Sequence, residues 1–118
     1  MGVTTLIVEV ANVAKPEVTE RLTFTVDSGA AYSVVPGAVL RKLRIRPQKR
    51  ETFRLANGAT IVRQKGVALF KFRQYVGGGD VIFGEKGDAT LLGALSLESL
   101  GLALDPIKRE LRPMKLIL

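Results

Sequence analysis

The sequence predicts an all-β domain: a closed or partly closed β-barrel with one or two short helices. Three observations predict it. Short segments rich in Val, Ile, Thr and Phe recur along the chain. Turn-forming residues separate them, at Asp27-Ser28-Gly29, Asn57-Gly58 and Gly77-Gly78-Gly79. Helical spacing of apolar residues occurs only twice, and briefly. Many short strands with two small helices suit a barrel. A length of 118 residues fits one domain, spanning 1–118. Such a chain buries a core without disulfide or metal staples.

The elements follow in order. Val3–Val13, rich in Val, Ile and Thr, suits an edge or hairpin strand, and Lys15-Pro16-Glu17 reads as the turn after it. Glu20–Val26 alternates with period two: Leu22, Phe24 and Val26 face one way and Arg21, Thr23 and Thr25 the other, as in a half-buried strand. Asp27-Ser28-Gly29-Ala30 breaks it. Pro36 opens a short helix with Val39, Leu40 and Leu43 on one face. Thr52–Ala56 and Thr60–Val62 flank Asn57-Gly58, a hairpin signal suited to a type I′ turn. Val67–Tyr75 is a strand, Gly77-Gly78-Gly79-Asp80 a flexible turn, and Val81-Ile82-Phe83 the return. Thr90-Leu91-Leu92 is a short apolar run ending at Gly93. Leu95–Leu100 makes one or two helical turns closed by Gly101 as a C′ residue. Leu111–Leu118 is a last apolar segment punctuated by Pro113.

Composition excludes several chemistries. There is no Cys and no His. That removes thiol nucleophiles, disulfides, Ser-His-Asp triads and the usual zinc sites. Acid–base work would fall to carboxylates, Lys or Tyr. Gly77-Gly78-Gly79 has neither dinucleotide-binding nor Walker spacing. Neither cofactor nor metal is expected. No segment approaches the length of a membrane span, and Met1-Gly2-Val3 lacks the basic start of a signal peptide, so the expectation is a cytoplasmic protein without membrane attachment.

The formal net charge is +7, and it is uneven. Six of the ten residues Arg41–Arg50 are basic, and no acid lies between Ser28 and Arg50. Such a run can bind nucleic acid or an acidic membrane. It contains no aromatic residue for base stacking and fits no helix-turn-helix, RRM or KH signature. It therefore reads first as a solvated helix and loop, with a small basic nucleic-acid-binding barrel as a lesser alternative.

Asp27 is the residue that stands out. It ends an apolar strand directly and precedes Ser-Gly-Ala. A carboxylate there needs partners, and a tight turn with backbone N–H groups aimed at it can hold it ionised or let it share a proton. The plainer reading is an Asx-type turn after a strand.

The stretch Phe24-Thr25-Val26-Asp27-Ser28-Gly29-Ala30-Ala31-Tyr32-Ser33 resembles the active-site loop of the retroviral-type aspartic proteases, the retropepsins and their cellular relatives. That loop has an apolar strand, Asp-Thr/Ser-Gly-Ala, then Ser or Thr three residues on, as at Ser33. The Asn57-Gly58 hairpin falls where the family carries its flap. Leu91-Leu92-Gly93 resembles the apolar-apolar-Gly motif beneath the active-site loop, and Leu100-Gly101-Leu102-Ala103-Leu104-Asp105 the strand that often follows. The resemblance covers roughly Leu22 to Asp105. It departs at Ala94-Leu95, where a polar pair is common, at a flap tip with one glycine, and at Tyr32, where small or acidic residues are usual.

The resemblance implies a single-lobed acid-protease fold and an aspartic endopeptidase acting on a peptide or protein. Asp27 would be catalytic, with Ser28 and Gly29 bracing the loop. Ala30, Ala31, Asn57, Gly58 and Ala59 would line the peptide cleft, over the supporting Leu91, Leu92 and Gly93. Asp80, Asp88 and Asp105 lack the loop context, so the second carboxylate would come from another copy, in a homodimer. The main alternative is a dimeric relative of the same fold that binds peptides or assembles without turnover.

Overall fold

A computed structural model describes residues 3–105 and 107–115. The two-residue alternation of the early chain becomes two paired strands, β1 (Thr5–Asn12) and β2 (Lys15–Val26). Val8 and Val10 from β1 and Phe24 and Val26 from β2 are buried on the inner side. Ile7, Arg21 and Thr23 stay outside. Phe24 meets Phe70 edge-on at 6.2 Å in the centre of the core, a geometry favoured by ring quadrupoles.

β3 (Ser33–Pro36) leads into α1 (Gly37–Lys42), with Pro36 at the N-cap. Arg44 closes α1 in the left-handed region, at φ 62°. Its N–H donates to Arg41 O and that of Ile45 to Leu40 O. This is a Schellman closure, completed by buried Leu40 and Ile45. β4 (Lys49–Arg54) and β5 (Thr60–Phe72) form the Asn57-Gly58 hairpin, and β6 (Tyr75–Gly84) returns beside β5. β7 (Leu91–Leu92), α2 (Ala94–Leu100), β8 (Leu102–Leu104) and β9 (Leu111–Pro113) complete the chain.

The main sheet runs β1-β2-β7-β3-β6-β5-β4, and β5 also pairs back onto β1 through Glu9–Ala11. The fold is therefore mainly β, a partly closed barrel with β4 outside the ring. β8 and β9 make a separate two-stranded ribbon. The described residues hold no helix long and apolar enough to cross a membrane.

Most elements fall where the sequence places them; β3 is additional, and three turns differ. The first turn is Val13-Ala14, and Lys15-Pro16-Glu17 already belongs to β2. Asn12 explains the shift, since its Oδ1 accepts the Ala14 N–H and takes over the turn chemistry assigned to Pro16. The Asn57-Gly58 turn is not type I′. Ala56 and Asn57 keep negative φ and only Gly58 is left-handed, at 87°. Gly58 N–H donates to Leu55 O and Leu55 N–H to Ala59 O, a three-residue loop with a glycine bulge. Finally, Gly77-Gly78-Gly79 is strand, and Arg73-Gln74 makes the turn. The reason is α2: a Cβ on Gly77 would stand 2.3 Å from Ser99 Oγ and 2.5 Å from the Ser99 carbonyl. Glycine there lets the helix lie on the strand. Of the segment Leu111–Leu118, residues 116–118 lie outside the described residues.

Candidate active site

Asp27 follows the last paired residue of β2. Parallel pairing of Thr25 with Leu91 and Val26 with Leu92 sets β2 beside β7. Asp27 N–H then donates to Leu92 O at 3.0 Å. Beyond it the chain turns sharply: Ala30 N–H donates to Asp27 O, and Gly29 N–H to Asp27 Oδ1 at 2.9 Å. The carboxylate is thus oriented by its own turn. Asp27, Ser28 and Gly29 are all exposed.

Gly93 supports this turn from beneath. A Cβ there would stand 2.5 Å from Tyr32 O and 2.8 Å from Ala31 O, both backbone atoms that cannot swing aside. The next residues clamp the loop: Ala94 N–H donates to Ala30 O and Leu95 N–H to Ala31 O. Ser33, fully buried, accepts the Gly93 N–H on Oγ at 2.9 Å and meets Ser96 Oγ at 2.5 Å. Loop, β7 and α2 are therefore one hydrogen-bonded unit with its buried polar groups satisfied.

A cleft of about 480 Å³ opens beside the loop. Gly29, Ala30 and Ala31 line one side. Phe53, Arg54 and Leu55 from β4 and Ile61 and Arg63 from β5 line the hairpin side, and Ala89 and Leu91 lie near the base. Phe53 and Ile61 are register partners and so share a face. Tyr32 packs edge-on against Phe53 at 5.6 Å, joining loop to hairpin. Lys65 Nζ sits 5.4 Å from the Tyr32 ring centre.

One ion pair stands in this largely apolar wall. Arg63 donates Nε to Asp88 Oδ2 at 2.7 Å and Nη2 to Oδ1 at 3.0 Å, the two-pronged geometry that arginine makes best. It ties the hairpin strand β5 to the segment before β7. The Arg63 guanidinium holds the Asp88 carboxyl below its usual range; burial opposes this, and the Glu85 N–H adds to the lowering.

Of the residues singled out from sequence, Asp27, Ser28, Gly29, Ala30, Ala31, Leu91, Leu92 and Gly93 come together in this unit. Asn57, Gly58 and Ala59 stand exposed at the hairpin tip and do not line the cleft of the single chain. Sequence reasoning flagged Tyr32 at the pocket wall but passed over Phe53, Ile61, Arg63 and Asp88 as lining residues. Pairing the strands across Asn57-Gly58 would have found Phe53 and Ile61. The partnership of Arg63 with Asp88, 25 residues apart, leaves no local signal. Among the described residues no group of three His, Cys, Asp or Glu side chains could hold a metal ion.

The solved structure of the Simian Foamy Virus (mac) protease, a solution structure, superposes on this chain with a TM-score of 0.52. The match covers 79% of this chain and 92% of that one, at 20% sequence identity. The likeness is one of fold. This chain has a retropepsin-like fold. No protein-family model and no curated protein matches the sequence.

Proposed function

We propose that the chain is an aspartic endopeptidase whose active site is completed by a second copy. The observation that carries the reading is Asp27-Ser28-Gly29, presented on a braced turn beside a cleft, in a chain with a retroviral-protease fold. One carboxylate cannot act as acid and base at once. Two brought together resist double ionisation and share one proton. The ionised Asp27 takes a proton from a bound water, which attacks the scissile carbonyl. The protonated Asp27 of the second copy hydrogen-bonds the carbonyl oxygen, and collapse of the tetrahedral intermediate returns a proton to the leaving amine. No step uses imidazole, thiol, metal or cofactor.

Ser28 would brace the two loops across the axis, and Gly29, Ala30 and Ala31 would face the peptide. Asn57, Gly58 and Ala59 would cover an extended peptide held by backbone hydrogen bonds once it is bound. A cytoplasmic setting goes with this reading from the sequence alone.

The test is cleavage of a denatured protein or peptide library from about pH 3 to 7, for wild type and Asp27→Asn. The expected result is acid-favoured cleavage abolished by Asp27→Asn. Activity that survives the substitution sinks the mechanism. A well-formed dimer without cleavage at any pH moves the reading to the silent peptide-binding relative.

A further inference from the structure

A track of arginines leads from the α1–β4 connection to the mouth of the cleft. Arg41, Arg44 and Arg46 surround one hollow of about 420 Å³. The connection is held in place: Asn12 Nδ2 donates to both Leu43 O (3.2 Å) and Arg44 O (3.0 Å), and Gln48 N–H donates to Lys65 O. The Arg46 backbone packs closely on β5, since a Cβ on Gly66 would stand 2.9 Å from Arg46 O. Arg41 Nη2 reaches Gln64 Oε1 at 3.4 Å. Gln64 is the register partner of Arg50, so the two project from the same face, and the side chain that Arg41 reaches is the cross-strand neighbour of Arg50. Arg54 follows on that face of β4, about 13 Å along the strand, and meets the cleft at its rim, the wall residues Phe53 and Ile61 projecting from the opposite face.

All five arginines are exposed, and none makes an ion pair among the described residues. The nearby acids are taken by lysines: Glu20 by Lys42, and Glu51, turned to the other face of β4, by Lys49 and Lys65. The uncompensated charge is therefore arginine, arranged in a line that ends at the cleft.

We propose that this track is an exosite for an acidic flanking segment of the peptide substrate, a run of Asp and Glu outside the cleft. The proposal rests on the cleft's binding an extended peptide. Arginine offers a planar fork of donors that matches a carboxylate. An extended peptide advances about 3.3 Å per residue, so carboxylates four residues apart meet Arg54 and Arg50 in turn. Each exposed pair contributes little and is screened by salt; several together raise both encounter rate and affinity. Nucleic acid fits less well, because no aromatic residue between Arg41 and Arg50 offers a base a stacking surface.

The test uses Asp27→Asn protein, so that binding is read without turnover. Fluorescent peptides share one apolar core and carry four Asp/Glu, or four Asn/Gln, on either flank. The acidic flank should bind about tenfold tighter at 50 mM salt, with the advantage shrinking at 0.5 M. Arg46→Gln/Arg50→Gln should remove most of that advantage while neutral-peptide binding and thermal unfolding stay unchanged. Equal affinity for acidic and neutral peptides overturns the proposal. So does a short single-stranded RNA of the same charge that binds tighter than the acidic peptide. Failure of the catalytic reading shows separately, as wild type that binds these peptides with the charge preference but cleaves none of them.

Discussion

Replacing Gly93 by alanine should loosen the turn that carries Asp27, and the size of the effect can be worked from the contacts. The new Cβ would lie 2.5 Å from Tyr32 O, 2.7 Å from the Tyr32 carbonyl carbon and 2.8 Å from Ala31 O. These are backbone atoms, so relief needs the whole loop to move by several tenths of an ångström. Overpacking of this kind costs about 1–3 kcal/mol. Movement also strains the bonds from Ala94 N–H to Ala30 O and from Leu95 N–H to Ala31 O, each contributing about 1 kcal/mol. Against this, alanine stiffens the unfolded chain by about 0.4–1 kcal/mol. The net loss is about 2–3 kcal/mol. With an unfolding entropy of about 0.25 kcal/mol/K for 118 residues, the melting temperature should fall by about 10 °C. Gly79→Ala is the control: a Cβ there meets nothing within 4 Å, so its melting point should hold or rise slightly. Urea and thermal unfolding of the two variants decide the matter. A Gly93→Ala protein within about 0.5 kcal/mol of Gly79→Ala would refute the reasoning.

Ser33→Ala should cost about 1–3 kcal/mol in urea unfolding, because the buried Gly93 N–H loses its acceptor. Ser96→Ala added to it should cost less than the two singles together, since both act on one hydrogen-bonded chain. Asp88→Asn should lower stability at pH 7 by on the order of 1 kcal/mol. The folded carboxyl sits below its unfolded value of about 3.9, so its contribution is full above that pH and lost as pH falls through the folded value. The difference between wild type and Asp88→Asn should therefore shrink as pH falls below the unfolded value, and a difference that grows on acidification would contradict the pairing. Mixing wild type with an equal amount of Asp27→Asn should reduce cleavage to about half that of the same wild type alone, as random pairing diverts half of its chains into mixed dimers. Undiminished activity would mean that each chain holds a complete site.

The strand pattern was legible wherever a single residue type decided the backbone locally. The alternation Leu22, Phe24, Val26 marked β2, and Gly101 marked the end of α2, where its φ is 76°. Legibility failed where the deciding partner was distant in sequence. Gly77-Gly78-Gly79 has the composition of a turn, and only the arrival of Ser99 from α2 explains why it is strand. Asn12 outcompeted Pro16 for the first turn through a side-chain bond that propensity does not weigh. β3 went unseen because four residues, Ser33–Pro36, are too few to show a period. At the site the division is the same. Asp27 and Gly93 lie in recognisable local motifs, while the pair Arg63 and Asp88 is joined by β5 crossing to the loop before β7.

The distribution of contacts around Asp27 bears on why a second copy would complete the site. Among the described residues, the loop is fixed by Leu92 O, the Gly93 approach, and the Ser33 and Ser96 hydroxyls. That scaffold is buried and hydrogen-bonded. What it presents is the opposite: Asp27, Ser28, Gly29 and Ala31 are exposed, and Leu95, bonded through its N–H to Ala31 O, is 46% exposed. A single carboxylate lacks the proton-sharing partner that the proposed chemistry requires. Leucine at position 95, where a polar residue is common in the retroviral-type proteases, gives this end of the molecule apolar surface that gains from being covered. Under the proposed dimer, the braced loop and the uncovered residues beside it meet one physical requirement together. Two copies meeting at Asp27 would remove the loop from water, bring the carboxylates together, and bury Leu95 in the same step.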